Sequence, residues 1–384
     1  MKRISSLLLL AAALALVAVM QSRPATAAGV QVDPVIWQFD RDYPGAEAND
    51  SVLPVHAVYL KTHDGTDWMS AFDTHPRAIS GPDAVRSAIQ TYGAQGIEVI
   101  AWFVPKGTDV EGQVRMAEEV LDTGVKALYA DIEPFRGFCA EDCPFLAGSL
   151  WARIRQERPG ATLGVIYDPR SPYREWSATT QWLSVADAAA PMCYWETFSG
   201  QLPWDSPQLC IEQAYLDLQE MAGGRSIQYV PMLQGDSTPE RVLEAMDAAQ
   251  SLGSSRASVW RRGVVPMAVW QAIAGYVEPA PTPQPSGGRE LAWGDIDCRS
   301  DVTIADAQKL ARSLIDLAIV QFEPCFPVGA DVPLGDTTFR WGDIDCNGGL
   351  SISDSQKLAR ALIGLTVEQE VSCPPVGSRI PVPG

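Results

Sequence analysis

Short apolar runs alternate with amphipathic stretches along the first three quarters of the chain. Eight runs rich in β-branched and aromatic residues lie at 35–39, 56–60, 98–103, 127–132, 162–167, 189–194, 227–232 and 257–260. Segments with helical periodicity, such as 81–95 and 112–122, separate several of these runs. Repeated alternation of strands and helices at this length predicts an α/β fold, a (β/α)8 TIM barrel. A doubly wound open sheet is the alternative, but no glycine-rich dinucleotide motif follows the first run.

The two ends of the chain do not follow this alternation. Residues 1–27 join a basic start, an apolar run from Leu7 to Met20 and the small-residue motif Ala25-Thr26-Ala27, which predict a secretory signal peptide; an uncleaved anchor is the alternative. Residues 29–277 are expected to form the barrel and 278–288 a proline-rich, extended spacer. Residues 289–384 hold a duplicated unit with a 48-residue repeat. We expect the barrel and this tail to fold independently of each other.

Composition agrees with export. The chain has 47 acidic and 29 basic residues and a formal net charge of −18, which argues against nucleic acid and anionic membranes as partners. Eight cysteines in an exported chain predict disulfide bonds, while three histidines and the lack of paired zinc-binding cysteines argue against a transition-metal centre. We therefore expect a secreted protein, extracellular or associated with the cell surface, that needs no cofactor for catalysis.

Acidic and aromatic residues cluster at the predicted carboxyl ends of the strands, where TIM barrels carry their active sites. Carboxylates walled by indoles suit a sugar, whose C–H faces stack on aromatic rings while its hydroxyls bind the carboxylates. Ordinary core packing is the alternative for each tryptophan. The candidate substrate-binding residues are Trp37, Asp40, Lys61, Asp64, Trp102, Asp168, Tyr194, Trp195, Asp236 and Trp260.

The fourth run, ALYADIEPF, is the most informative segment for catalysis. Because side chains alternate along a strand, Asp131 and Glu133 face the same way, about 6.6 Å apart along the backbone. Two neighbouring carboxyls compete for ionisation, so one of them keeps its proton near neutral pH. We therefore predict that Glu133 is a general acid and that Asp131 tunes or orients it. Salt-bridged or helix-capping acids are the alternative.

The pattern offers three candidates for the second catalytic carboxyl. On the sixth run, APMCYWE, alternation places Met192, Tyr194 and Glu196 on one face, so Glu196 is the first candidate for a nucleophile or a water-activating base. Asp168 in VIYDPRS and Asp236 in MLQGD are its competitors.

These motifs resemble those of barrel glycoside hydrolases related to family-18 chitinases and family-25 lysozymes. In the chitinases the fourth strand ends D-x-D-x-E, and the last two acids match Asp131 and Glu133. The sixth strand carries M-x-Y-D, which Met192 and Tyr194 match in part. The chain also resembles uncharacterised secreted barrels of the glycoside hydrolase type, which share VYLKTHDG after the second strand.

The chain departs from the chitinase pattern at two positions, where Tyr129 replaces the first Asp and Trp195 stands in place of the last one. The resemblance implies hydrolysis of a polysaccharide or a cell-wall glycan. If the sugar bears an acetamido group, the substrate itself supplies the nucleophile and no second carboxyl is needed. A carbohydrate-binding or structural barrel without catalysis is the alternative.

The tail contains a calcium-loop pattern in WGDIDCNGGLSISDSQKLAR. Oxygen-bearing side chains stand at positions one, three, five, nine and twelve, a backbone carbonyl at seven and a turn glycine, Gly348, at six. The predicted ligands are Asp343, Asp345, Asn347, Gly349, Ser351 and Asp354. In the first copy Asp295, Asp297 and Asp306 keep their positions, but Arg299 replaces the ligand at position five, so this loop is expected to bind calcium weakly or not at all.

Two such loops in tandem resemble a type I dockerin. The resemblance implies a small all-α, dockerin-like module of the EF-hand type that binds structural calcium and attaches the barrel to a cohesin-like protein; a purely structural calcium module is the alternative. The expected disulfides of the tail follow the repeat, and those of the barrel pair near neighbours, although other barrel pairings stay open. The expected pairs are Cys139–Cys143, Cys193–Cys210, Cys298–Cys325 and Cys346–Cys373.

Overall fold

A computed structural model describes residues 29–43, 53, 55–276, 289–299, 302–322, 324–335 and 337–382. The predicted signal peptide (1–27) and the predicted proline-rich spacer (278–288) lie outside these residues. Within the described residues, no helix is both long and apolar enough to cross a membrane.

Parallel strands at eight positions close into a barrel, which confirms the predicted (β/α)8 barrel. The seventh position is shared by two short strands, because Pro231 lies between them and has no N–H to donate to the neighbouring strand. An antiparallel strand, β3, pairs with the end of β2. The strands are β1 Gln31–Ile36, β2 Ala57–Asp64, β3 Asp67–Trp68, β4 Glu98–Val104, β5 Leu128–Ile132, β6 Leu163–Tyr167, β7 Ala188–Cys193, β8 Gln228–Tyr229, β9 Met232–Gln234 and β10 Arg256–Trp260.

Helices connect the strands and cover the outside of the barrel. Three of them, at Pro82, Pro207 and Pro239, begin with proline, which costs no hydrogen bond in the first turn of a helix. A π-helical segment, Ala147–Trp151, joins α4 to α5. The helices are α1 Phe39–Asp42, α2 Pro82–Gly93, α3 Val110–Leu121, α4 Cys143–Leu146, α5 Ala152–Glu157, α6 Ser171–Trp176, α7 Thr179–Leu183, α8 Pro207–Ala222, α9 Pro239–Ser251 and α10 Met267–Gly275.

Alternation along the strands divides the core into two layers. Tyr59, Trp102 and Tyr129 belong to the cluster inside the barrel, while Phe103 and Tyr167 belong to the cluster between the strands and the helices. All five side chains are at most 3% exposed. A side chain at the end of a strand therefore faces the interior of the barrel only if it has the parity of the inner layer.

A buried aspartate, Asp33, braces the amino-terminal end of the junction at which the barrel closes. It accepts hydrogen bonds from the backbone N–H groups of His56 (2.9 Å) and Ala57 (2.8 Å) at the start of β2. Its other oxygen lies 3.3 Å from the guanidinium of Arg256 at the start of β10. One side chain of β1 thus holds both neighbouring strands.

A second buried aspartate, Asp42, braces the opposite end. Its carboxylate accepts from the N–H groups of Trp37 (2.7 Å), Gln38 (3.2 Å) and Gly263 (2.9 Å), and it pairs with Arg261 just beyond β10. The first strand was predicted at 35–39 but ends at Ile36, because the next two N–H groups turn to this carboxylate rather than to a neighbouring strand.

The tail combines two helices with two antiparallel strand pairs, so the expectation of an all-α module is wrong. The strand before the first loop pairs with the strand after the second loop, and the strands between the repeats form a hairpin. The elements are β11 Arg289–Ala292, α11 Ile304–Ser313, β12 Asp331–Leu334, β13 Thr337–Arg340, α12 Ile352–Leu362 and β14 Arg379–Val382.

Equivalent tryptophans of the two repeats form the centre of the tail. The rings of Trp293 and Trp341 meet edge to face, with centroids 5.7 Å apart, and both side chains are fully buried.

The disulfides Cys139–Cys143, Cys193–Cys210, Cys298–Cys325 and Cys346–Cys373 are all present, which confirms the predicted pairing.

Gly164→Ala tests the packing inside the barrel. Gly164 on β6 is the register partner of Tyr129 on β5, and a Cβ atom there would overlap the tyrosine ring. We expect the free energy of unfolding to fall by about 1–3 kcal/mol, since overpacking forces neighbouring side chains to move. Chemical denaturation followed by tryptophan fluorescence measures it. Gly160→Ala, where a Cβ atom meets open space, is the control; equal stability of the two variants would contradict this packing.

Candidate active site

A cavity of about 530 Å³ opens at the carboxyl ends of the barrel strands. Its lining brings together the predicted residues Trp37, Lys61, Asp64, Trp102, Asp131, Glu133, Asp168, Tyr194 and Trp260. Apolar side chains fill the space between them, among them Val104, Phe138, Ile166, Met192, Phe198 and Met232. The cavity is therefore an apolar bowl with charged groups at a few positions, as is usual for sites that bind small molecules or sugar residues.

Two carboxyl groups from a single strand lie in this cavity. Asp131 belongs to β5 and is 5% exposed, and Glu133 follows the strand end on the same side. Burial, followed by the charge of Glu133, raises the pKa of Asp131 well above its usual range. Burial, followed by the charge of Asp168, raises the pKa of Glu133 to about 7, although Arg170 and Lys61 act in the opposite direction. A carboxyl with this pKa can donate a proton at neutral pH.

Two further carboxylates in the lining each bind a cation. Lys61 Nζ lies 2.7 Å from Asp64 Oδ1. Arg170 binds both oxygens of Asp168, with Nε 3.0 Å from Oδ1 and a terminal nitrogen 2.6 Å from Oδ2. Within the described part of the chain, Asp131 and Glu133 make no ion pair.

Indole rings form one side of the cavity. Trp102 is 1% exposed, and its Nε1 donates to the backbone carbonyls of Ile36 (3.1 Å) and Tyr59 (3.2 Å). Its ring meets that of Trp260 edge to face, with centroids 6.0 Å apart, and Lys61 Nζ lies 5.0 Å from its centroid. The backbone contacts hold the ring in one orientation, and at this burial it supports the partly exposed ring of Trp260.

The structure does not bring Trp195 or Glu196 into the cavity. Trp195 has the parity of Cys193, which faces the helices, and its Nε1 donates to Ser237 Oγ (2.9 Å) in the outer layer. Glu196 lies on the exposed rim, where it accepts from Ser237 Oγ (2.9 Å) and lies 3.4 Å from Arg241. The chain has left β7 before Glu196, so strand alternation no longer directs that side chain inward.

Asp40 and Asp236 also lie outside the cavity lining. Because β1 ends earlier than predicted, Asp40 falls on α1, where its carboxylate accepts from the backbone N–H and the hydroxyl of Thr74. Asp236 accepts from Gln234 Nε2 at 2.8 Å. Their hydrogen bonds give both residues a role in holding loops rather than in contacting a ligand.

Sequence reasoning missed Arg170 and Phe138. Arg170 follows β6, the fifth barrel strand, by three residues and could have been found as the cation nearest to Asp168. Phe138 carried no such signal, because it reaches the cavity from a loop of irregular backbone next to the disulfide Cys139–Cys143.

A row of partly exposed aromatic rings leads away from the cavity. Phe135 belongs to the cavity lining and lies 5.2 Å from Tyr173, whose ring meets Trp176 edge to face at 5.4 Å. Phe135 is 38% and Trp176 59% exposed. Exposed rings in a row next to a cavity are typical of surfaces that bind an extended ligand.

The second loop of the tail offers an arrangement that fits calcium. One carboxylate oxygen from each of Asp343, Asp345 and Asp354 lies within 4.8 Å of the others. Backbone N–H groups of Asn347 and Gly348 hold Asp343 in place, at 3.2 and 2.9 Å. Hard oxygen donors in a loop that turns at glycine are what calcium requires.

The first loop has the same carboxylates but different surroundings. Asp295, Asp297 and Asp306 converge in the same way. Arg299 contributes no oxygen at position five, and Lys309 Nζ lies 2.5 Å from Asp297 Oδ2. The missing oxygen at position five sets this loop apart from the second, where Lys357 contacts Asp345 in the same way.

Similarity to known proteins is distant and confined to solved structures. No protein-family profile and no curated protein sequence matches the chain. Among solved structures, a GH18 chitinase from Pseudoalteromonas aurantia is 14% identical, over 64% of this chain and 99% of that one, with a TM-score of 0.46. The catalytic domain of a family GH18 chitinase from the fern Peteris ryukyuensis is 15% identical, over 63% and 96%, with a TM-score of 0.41. A spore cortex-lytic enzyme of Bacillus cereus is 8% identical, over 64% and 74%, with a TM-score of 0.44.

Glu133→Gln tests the raised pKa of Glu133 through stability. Its pKa of about 7 in the folded protein exceeds the ordinary 4.5, so wild-type stability falls as pH rises through this window. The glutamine carries no charge, and we expect its melting temperature to exceed that of the wild type at pH 8 and to approach it near pH 4.5. Thermal unfolding across this range measures the difference. Glu196→Gln, which makes the same chemical change on the exposed rim, is the control; the same profile for both variants would contradict the burial of Glu133.

Proposed function

We propose that the barrel is an exported glycoside hydrolase that cleaves a glycan with Glu133 as the proton donor. The observation that carries this proposal is a carboxyl with a pKa of about 7 in a cavity lined by indole rings at the carboxyl ends of the strands. A group that is half protonated near neutral pH can give its proton to the glycosidic oxygen and later accept one from water. The aromatic lining supplies the stacking surface for a sugar ring.

The source of the nucleophile follows from the ion pairs. A carboxylate nucleophile or base must be free to approach the sugar, but Asp64 and Asp168 are held by Lys61 and Arg170, and Glu196 lies outside the cavity. A 2-acetamido sugar needs none of them. Its own carbonyl oxygen forms the new bond to C1 as the bond from C1 to the leaving oxygen breaks, and the leaving oxygen takes the proton of Glu133.

Asp131 has a role in this reaction without being a nucleophile. Lying beside Glu133 in the cavity, it can accept the N–H of the acetamido group and so turn the carbonyl oxygen toward C1. Water then opens the cyclic intermediate and returns a proton to Glu133, which restores the starting state. The row formed by Phe135, Tyr173 and Trp176 supports a chain of sugars rather than a single residue as substrate.

A second candidate is a barrel that binds a glycan without cleaving it. It is favoured by Tyr129, which stands in the sequence where the chitinase motif has its first Asp. The ring centroids of Tyr129 and Tyr59 lie 5.4 Å apart inside the barrel. In this case the acid pair would only bind hydroxyl groups. Both candidates predict sugar binding in the same cavity, and only the first predicts turnover.

The tail supports attachment of this barrel to a partner. We propose that its second loop binds structural calcium and that the helices bind a cohesin-like protein. Ile304 and Ile352, at the same position of the two repeats, are 55% and 54% exposed, and exposed apolar side chains on a helix are suited to a protein partner. Export is supported by the four disulfides.

Hydrolysis of a chito-oligosaccharide and of a cello-oligosaccharide of the same length tests the enzyme proposal. The two differ only in the acetamido group, so we expect turnover of the first alone, since the second offers no internal nucleophile. Turnover should decrease as pH rises above about 7, where Glu133 loses its proton. Glu133→Gln should reduce turnover by a factor of at least about 10² while sugar binding persists.

Glu196→Gln is the matched control, since it makes the same chemical change outside the cavity, and it should keep wild-type turnover. Glu133→Gln with unchanged turnover would exclude Glu133 as the acid. Binding of the sugar by the wild type with no turnover of any tested glycan would favour the second candidate.

Calorimetric titration of the full chain with calcium tests the tail. We expect one strong site, because only the second loop has a full set of oxygen ligands. Asp343→Ala should abolish it, whereas the equivalent change in the first loop, Asp295→Ala, should leave it in place. Equal loss in both variants would show that the two loops bind alike.

A further inference from the structure

The tail and the barrel meet along α8 and α11 through buried charges. Glu212 is 3% exposed and Lys309 is 1% exposed. Lys309 Nζ lies 2.9 and 2.8 Å from the two carboxylate oxygens of Glu212 and 2.5 Å from Asp297 Oδ2. Gln208 Nε2 donates to the same two carboxylates, at 2.9 and 3.3 Å. Because a buried charge is stable only when it is paired, this cluster needs groups from both parts of the chain.

The contact extends beyond this pair. A terminal nitrogen of Arg299 lies 3.1 Å from Glu212 Oε1, and Arg312 donates to the side-chain carbonyl of Gln213. Apolar residues of the two parts line the cleft beside these polar groups, namely Leu209 and Leu216 on the barrel and Ala318, Ile319 and Val320 on the tail. A polar cluster combined with an apolar margin is the usual composition of a specific interface.

The second repeat provides an internal reference. Lys357 is the equivalent of Lys309, and it reaches Asp345 as Lys309 reaches Asp297. Its side chain is 24% exposed, however, and in the described residues no carboxylate of the barrel pairs with it. The same lysine is thus at the surface in one repeat and enclosed in the other.

This difference decides what each loop can bind. Asp297 stands at position three of the first loop, so a bound cation would need the oxygen that Lys309 contacts. Lys309 cannot leave that oxygen for solvent while Glu212 encloses it. Lys357, in contrast, can turn into solvent and release Asp345. Binding of a metal by the first loop therefore requires the barrel and the tail to separate.

We propose that the first repeat is an intramolecular docking element, in which Lys309 takes the place of the cation and Glu212 of the barrel holds it. Docking and cation binding by the first loop exclude each other, so each weakens the other by the same factor. Hydrolysis by Glu133 plays no part in this proposal, and calcium binding by the second loop serves only as its reference.

Small-angle X-ray scattering of the full chain without calcium tests the docking. Lys309→Met should increase the radius of gyration by several ångströms, whereas Lys357→Met, the same change in the second repeat, should leave it unchanged. Glu212→Arg is the stronger variant, because it places a third cation against Lys309 and Arg299. Circular dichroism confirms that each variant is folded. Wild-type dimensions for both Lys309→Met and Glu212→Arg would overturn the proposal, as would equal expansion of Lys309→Met and Lys357→Met.

A count of calcium sites by calorimetry tests the exclusion. The double variant Arg299→Asn/Lys309→Met restores an oxygen at position five and frees Asp297, so it should bind one more calcium ion than the wild type. Adding Asp295→Ala should remove that extra site. An unchanged number of calcium sites in the double variant would overturn the exclusion. Calcium binding that persists in the single variant Asp343→Ala would overturn it too, because the first loop would then bind calcium while docked. If the wild type binds no calcium, only the proposal for the second loop is refuted, since the scattering test needs no metal.

Discussion

Closure of the barrel between its first and last strands is the constraint on which the rest of the structure depends. β1 pairs with β2 on one side and with β10 on the other, and Asp33 and Asp42 hold the two ends of that junction. A closed cylinder removes the inner faces of all its strands from water at once. The burial that raises the pKa values of Asp131 and Glu133 is therefore a property of the whole barrel, and a D-x-E motif on an open strand would not acquire it.

The acid pair opposes folding at neutral and alkaline pH, since two carboxyl groups lose water without gaining ion pairs of their own. The cations that could relieve them, Lys61 and Arg170, are bound to Asp64 and Asp168. Buried ionisable side chains that destabilise the folded state are typical of functional sites. In the proposed hydrolysis, the same two ion pairs make Asp64 and Asp168 poor nucleophiles.

Local patterns in the sequence were sufficient for most of the fold and for the acid pair. The strands were found because buried parallel strands are continuous apolar runs, and Asp131 and Glu133 because a two-residue spacing sets their common direction. The inward or outward direction of residues beyond a strand end was not predictable, as Trp195 and Glu196 show. The pair Glu212–Lys309 joins residues 97 positions apart and belongs to no motif, so only the folded chain reveals it.

Pairing of β11 with β14 brings the two ends of the tail side by side, with Arg289 opposite Val382. A module whose entry and exit points are adjacent can be inserted into a surface loop of another protein without pulling that loop apart. The two-repeat unit is thus a transferable cassette in evolution and in engineering. Moved without the barrel, Lys309 of the first repeat would lose both its cover and Glu212 as its counter-ion, whereas Lys357 of the second repeat, already 24% exposed, would keep its surroundings.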